Sequence, residues 1–280
     1  MAKFLIKQAF AEAMDLHKQN RFEEAKVIYN KILTVDESEP NAHHLISLIF
    51  MAEGDFEHSK KHIEIAIEKA PNQPVFHSNY GSLLHSMGEN QLAINAIKRS
   101  LKLDKKLFQS YYSLGIIYTD MAEHTKAIEN YNKALEINNQ SSEAHNNLGL
   151  TLQKLKQFKD AQICFFKSIK IKPDFDEAYN NLGCTFEALN DFSEAEKCFS
   201  KAIELNPNLS EPYINLGQIH NYNSQINNAL DCFIKAIIIN PTNTNAFHNL
   251  SIILGQGVNF TKTSEELNSC ISKLLEINYL

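Results

Sequence analysis

The sequence predicts an all-α protein, an α-solenoid of about eight antiparallel helix pairs. Three observations predict it. The stretch Asn146-Asn147-Leu148-Gly149 returns as Asn180-Asn181-Leu182-Gly183, 34 residues later. Residues of similar size then fall at matching offsets: Gly149, Leu152, Ala161, Phe165, Ser168 and Pro173 against Gly183, Phe186, Ala195, Phe199, Ala202 and Pro207. Within each period, apolar residues recur at spacings of three and four, as in Tyr179, Leu182 and Phe186, which is the spacing of one helix face. Self-similarity at such a period marks an architecture in which no unit buries its apolar face alone, so units stack.

Taken in order, the units are 6–39, 40–73, 74–107, 108–141, 142–175, 176–209, 210–243 and a degenerate 244–280, forming one array over 1–280 with no linker. Each carries two helical patterns and a short turn. Asn20, Gly54, Gly88 and Asn190 occupy the turn, and these residues tolerate the left-handed conformation that ends a helix. Pro71, Pro173, Pro207 and Pro241 follow the second pattern, where a missing amide donor does no harm. Gly81, Gly115, Gly149, Gly183 and Gly217 share one position on the first helix, with Ala13 and Ser47 in the earlier units. Ala25, Ala93, Ala127, Ala161, Ala195 and Ala229 share one on the second, with Ser59 in the second unit. The small pair lets two backbones approach, and Tyr29, Tyr131, Phe165, Phe199 and Phe233 are expected to fill the space to the next unit.

The 34-residue period, the Leu-Gly step, the Ala-x3-aromatic step and the terminal proline resemble the tetratricopeptide repeat. The resemblance implies a right-handed superhelix that binds other proteins in its concave face. The Trp usual in that repeat is absent; His43, His77, Tyr111, His145, Tyr179, Tyr213 and Phe247 stand in its place, and Glu37, Lys105 and Asn139 replace the proline. The asparagine row described below is similar to the repeat arrays of O-linked N-acetylglucosamine transferases and kinesin light chains. Asn41-Ala42-His43-His44-Leu45 and Phe76-His77-Ser78-Asn79-Tyr80-Gly81 resemble arrays of bacterial proteins that continue into a transferase domain.

Composition excludes several classes. The 280 residues are 44% hydrophobic with net charge −6, enough apolar surface to fold and no basic excess for a phosphate backbone. Basic residues come at most two in a row, so no nucleic-acid partner is expected. The longest aliphatic run, Ala236-Ile237-Ile238-Ile239, is too short to insert in a bilayer. The first twenty residues are broken by Lys3, Lys7, Glu12 and Asp15 and do not read as a signal peptide. Five cysteines without a C-x-x-C pair fit a reducing, cytoplasmic setting. No phosphate loop or G-x-S-x-G element occurs, so neither catalysis nor a cofactor is expected. His58 and His62 lie four apart on one helix but lack a third ligand, so no metal is expected.

The informative feature is the row Asn79, Asn147, Asn181, Asn215 and Asn249, two residues before the small position, broken only by Ser113. A carboxamide offers a donor and an acceptor that match the N–H and C=O of an extended peptide. The competing reading is hydrogen bonding between helices. Glu143, Glu177 and Glu211 precede the row by four and should share the concave side; Asn146 and Asn180 flank it; Gln218 follows by three, and Lys154 and Tyr222 by seven. These residues define the expected peptide-binding face of a non-catalytic interaction scaffold, and the glutamates predict a partner segment carrying Lys or Arg. The alternative is the substrate-binding arm of a transferase whose catalytic domain lies elsewhere. At the far end, Gly255 to Asn259 reads as a lengthened turn before a final helix from about Ser264. That end meets a partner, self-associates, continues into a longer chain, or is capped by Asn268, Ser269 and Ser272.

Overall fold

In the computed structural model the described residues are 2–255 and Ser272, with 2–5 described in backbone alone. The expected turn at 256–259, the final helix from Ser264, and with it self-association through that helix lie outside them. Fifteen helices and no strand occur among the described residues. The chain forms two compact units, Met1–Asn139 and Gln140–Leu280. The first holds α1 (Ala2–Lys18), α2 (Phe22–Val35), α3 (Pro40–Ala52), α4 (Phe56–Lys69), α5 (Pro74–Ser86), α6 (Asn90–Leu103), α7 (Phe108–Asp120) and α8 (His124–Ile137). The second holds α9 (Ser142–Lys154), α10 (Phe158–Ile171), α11 (Asp176–Ala188), α12 (Phe192–Leu205), α13 (Ser210–Tyr222), α14 (Ile226–Ile239) and α15 (Thr244–Gly255).

The helix ends follow from local chemistry. Pro40 and Pro74 open α3 and α5, where the amide they lack would have no partner. The Asp55, Ser141 and Asp191 side chains accept from the backbone N–H three residues on and cap α4, α9 and α12. The turn after each first helix needs one left-handed residue. Asn20, Gly54, Gly88 and Asn190 adopt it as expected, and Ala122, Lys156 and Ser224 adopt it too, at φ 57°, 60° and 58°. Neither the small side chain of Ala nor the charge of Lys favours that region. The repeat geometry imposes it on them.

Within each unit the second helices pack on the first helix of their own repeat and on the first helix of the next, and successive first helices touch from α3 to α7 and from α9 to α15. The core runs through these joints. Phe199 is fully buried and shares a cluster with Ala195 of its own helix and with Leu216 and Ile219 of the next repeat. The large aromatics therefore reach the next unit, but they also have a second task that the size pattern did not disclose. A Cβ built on Gly149, Gly183 or Gly217 would meet a ring carbon of Phe165, Phe199 or Phe233 at 2.7, 2.6 and 2.7 Å. The glycine is there to receive the ring of its own hairpin. The close approach of backbone to backbone holds at Gly81, whose added Cβ would lie 3.0 Å from the Ala93 carbonyl oxygen.

The histidines that replace Trp also have a local reason. His77 Nε2 donates to the Pro71 carbonyl at 2.8 Å, and His43 Nε2 to the Glu37 carbonyl at 3.0 Å, each six residues back. An indole N–H could make a similar bond. His43 Nδ1 also meets His62 Nδ1 at 2.9 Å. No cluster of three or more His, Cys, Asp or Glu that could hold a metal occurs among the described residues.

Candidate peptide-binding groove

The first helices of the second unit, α9, α11, α13 and α15, form a layer in which each touches the next. The second helices are held apart by the first helices wedged between them. The first-helix layer is thus the more tightly drawn one, and the one toward which such stacked pairs bend. The residues expected to hold a peptide lie on this layer.

The asparagine row occupies the seam between neighbouring first helices. Asn181 Nδ2 donates to Asn146 Oδ1 at 3.0 Å. Asn215 Nδ2 donates to Asn180 Oδ1 at 3.2 Å and lies 3.3 Å from Cys184 Sγ. In the first unit Asn79 Nδ2 meets His44 Nε2 at 2.8 Å. All three bonds join a residue to the one 35 positions earlier. Ser113, which breaks the row, also reaches the preceding first helix, but its hydroxyl meets that of Ser82, 31 positions earlier, at 3.2 Å. Asn249 is different. Its counterpart 35 positions earlier is Ile214, which cannot accept, and Asn249 donates instead to the Asn245 carbonyl of its own helix at 2.9 Å.

One side-chain N–H of Asn79, Asn181 and Asn215 is therefore spent on stacking. Asn79, Asn147, Asn181, Asn215 and Asn249 are all half-buried, so each keeps part of its surface toward solvent. Asn146, expected on the groove surface, is 3% exposed and serves as an acceptor beneath the seam, where a peptide cannot reach it. Asn180 is half-buried in the same accepting role. Sequence reasoning named Asn146 and Asn180 but missed that they and His44 are the acceptors. The signal was present as a polar residue one place before the row position in the preceding repeat.

The flanking residues are open. Glu143, Glu177 and Glu211 are exposed on the first turns of α9, α11 and α13. Hydrogen bonding from its own backbone N–H holds the Glu143 carboxyl below its usual range, with smaller help from Ser142, Lys172 and Ser141. Lys154 and Gln218 are exposed. Tyr222 is 70% exposed, its ring 4.6 Å from that of Phe192 at the start of α12. Between the rows, burial pushes the Cys184 thiol up to about 12, which makes it a packing group and not a nucleophile. Burial also raises the Glu187 carboxyl.

Comparison with known proteins agrees with the repeat fold. The tetratricopeptide repeat family matches residues 142–175 and 176–209, and two further families described as tetratricopeptide repeats match 76–107 and 117–156. The chain carries tetratricopeptide repeats. The Est1 DNA/RNA binding domain family also matches, over 195–270. Among solved structures, YrrB, described as a tetratricopeptide protein with an unusual peptide-binding site, is 26% identical, with TM-score 0.55 over 66% of this chain and 96% of that one. The C-terminal part of a repeat protein from Cytophaga hutchinsonii (20% identity, TM-score 0.63, 86% and 99% covered) and pilF from Pseudomonas aeruginosa (15%, 0.68, 80% and 99%) share the fold. A repeat-containing protein of Methanocaldococcus jannaschii is 25% identical over 91 residues, which are 32% of this chain and 16% of that protein's length. The chain thus spans about one sixth of that relative. No helix among the described residues is long and apolar enough to cross a membrane.

Proposed function

We propose that the protein is a non-catalytic interaction scaffold that holds an extended peptide segment along the first-helix face of its second unit. The carrying observation is that polar side chains recur in register on that face, open to solvent in whole or in part. Glu143, Glu177 and Glu211 form one exposed row, and the half-buried Asn147, Asn181, Asn215 and Asn249 form the next. Gln218, Tyr222 and Lys154 complete the floor and its edge. Among the described residues the Oδ1 atoms of Asn181 and Asn215 carry no other bond, so they can accept a main-chain N–H while Nδ2 keeps the helices together. The peptide-binding site described for YrrB supports the same use of such a stack.

The match to an Est1 DNA/RNA binding domain raises nucleic acid as a partner. Residues 195–270 hold four lysines against six Asp and Glu, a balance that repels a phosphate backbone. We place protein ahead of nucleic acid on that ground, and a gel shift persisting in moderate salt would reverse the order. The substrate-arm reading is the second one. The much longer relative shows that such repeats occur within a larger protein, and an adjoining transferase domain in the extended gene would favour it.

The test uses peptides selected from a random display library on the intact chain. Gln218→Arg, which fills the face without touching the seam, should weaken the selected peptides at least as much as the Asn147→Ala/Asn181→Ala/Asn215→Ala variant. Helical content should stay near that of the parent in Gln218→Arg. Undiminished binding in both variants would remove the groove from consideration.

A further inference from the structure

Resting on the groove reading, we infer that the face of α9, α11 and α13 takes a polyproline-type segment with Lys or Arg at every third residue. Glu143, Glu177 and Glu211 stand at one position of three successive first helices, 34 residues apart and exposed. Among the described residues neither Glu177 nor Glu211 has an ion-pair partner. The Lys172 charge favours the Glu143 carboxylate, and the counterparts of Lys172 in the next two repeats are the uncharged Asn206 and Asn240. In the first unit the same position holds Lys7, Asn41, Val75 and Gln109, none of them acidic, so the acidic row belongs to the second unit alone.

The spacing chooses the ligand conformation. Packed helices lie about 8–10 Å apart, so the carboxylates recur at roughly 9 Å. A β-strand returns a side chain to the same face about every 7 Å, and an α-helix about every 5.4 Å. A polyproline helix, with three residues per turn and about 3.1 Å per residue, returns one about every 9 Å. One turn of such a segment therefore advances by one repeat, and a cation at every third residue meets one glutamate each time. The same conformation leaves its main-chain N–H groups without internal partners. The free Oδ1 atoms of Asn181 and Asn215 recur with the same period and can accept one N–H per turn.

The experiment measures anisotropy of labelled peptides on the intact chain: repeated Lys-Pro-Ala, a peptide of identical composition with its lysines contiguous, and one with Lys at every second residue. The every-third peptide should bind about tenfold tighter than the others, since each exposed ion pair contributes modestly and three add. The preference should vanish in Glu143→Gln/Glu177→Gln/Glu211→Gln, whose exposed isosteric changes leave circular dichroism unaltered. Equal affinity for the three peptides, tighter binding of the contiguous or every-second form, or a preference that survives the triple variant would overturn the inference. Gln218→Arg separates the two levels. If it weakens all three peptides alike while no spacing preference exists, the groove stands and this specificity falls. If it weakens none, the groove reading itself falls.

Discussion

At the scale of single residues, one backbone position matters most. Among the described residues the turn residue at 20, 54, 88, 122, 156, 190 and 224 is left-handed in all seven turns, whatever its side chain. A Cβ in that region costs about 1–2 kcal/mol, part of which glycine returns through its greater freedom in the unfolded chain. Ala122→Gly and Lys156→Gly should therefore each stabilise the protein by about 0.5–1 kcal/mol, read as a higher urea midpoint. Gly54→Ala should destabilise by a similar amount. No heavy atom lies within 4 Å of a Cβ built on Gly54, so its effect would be purely conformational. A fall in the midpoint for Ala122→Gly would show that the turn angle is not the limiting strain.

At the scale of helices, the seam and two histidines set the energetics. Asn181→Ala would leave the buried Asn146 Oδ1 without this donor, and an orphaned buried acceptor costs about 1–3 kcal/mol. Thermal unfolding of Asn181→Ala should show that loss, and Asn146→Ala/Asn181→Ala should recover part of it, because removing both partners leaves nothing unpaired. The histidines make the first unit acid-sensitive. Burial, aided by the charge of His17, lowers His44 to about 4, and burial with His43, Lys61 and His58 lowers His62 to about 4. The fold therefore holds both rings neutral. The unfolded chain takes up their protons near pH 6.5, so stability is fully present above that pH and is lost as the pH falls toward 4. For His44 the loss is on the order of 3 kcal/mol. It is sharpened because Asn79 Nδ2 donates to an Nε2 that protonation would block. Unfolding midpoints taken from pH 7 to 4 should fall less steeply in His44→Gln than in the parent.

At the scale of the whole molecule, the repeat was legible because close packing restates the same side-chain sizes every 34 residues. Periodicity, small-residue positions and prolines fixed the helices and their ends. Two kinds of fact were hidden. Which partner a small residue accommodates depends on ring direction, so Gly183 read as room for a backbone when it is room for Phe199. How many of an amide's bonding sites remain for a ligand depends on the neighbouring repeat, so the sequence left peptide holding and helix-to-helix bonding as rival readings of the row, whereas Asn181 and Asn215 do stitch helices. Ala122, Lys156 and Ser224 escaped notice because nothing in their chemistry favours the conformation imposed on them.

The fixed offset of the seam has a consequence for chain length. Removing residues 176–209 would bring Asn215 to 35 positions after Asn146, in place of Asn180, and give it an identical carbonyl acceptor. Phe165 would then face Leu216 and Ile219 as Phe199 does now. The array can be shortened by one whole module with its joints re-formed, while the surface offered to a guest loses one member of each row, Glu177 and Asn181. Reach and grip can thus be changed in integral steps without redesigning any interface.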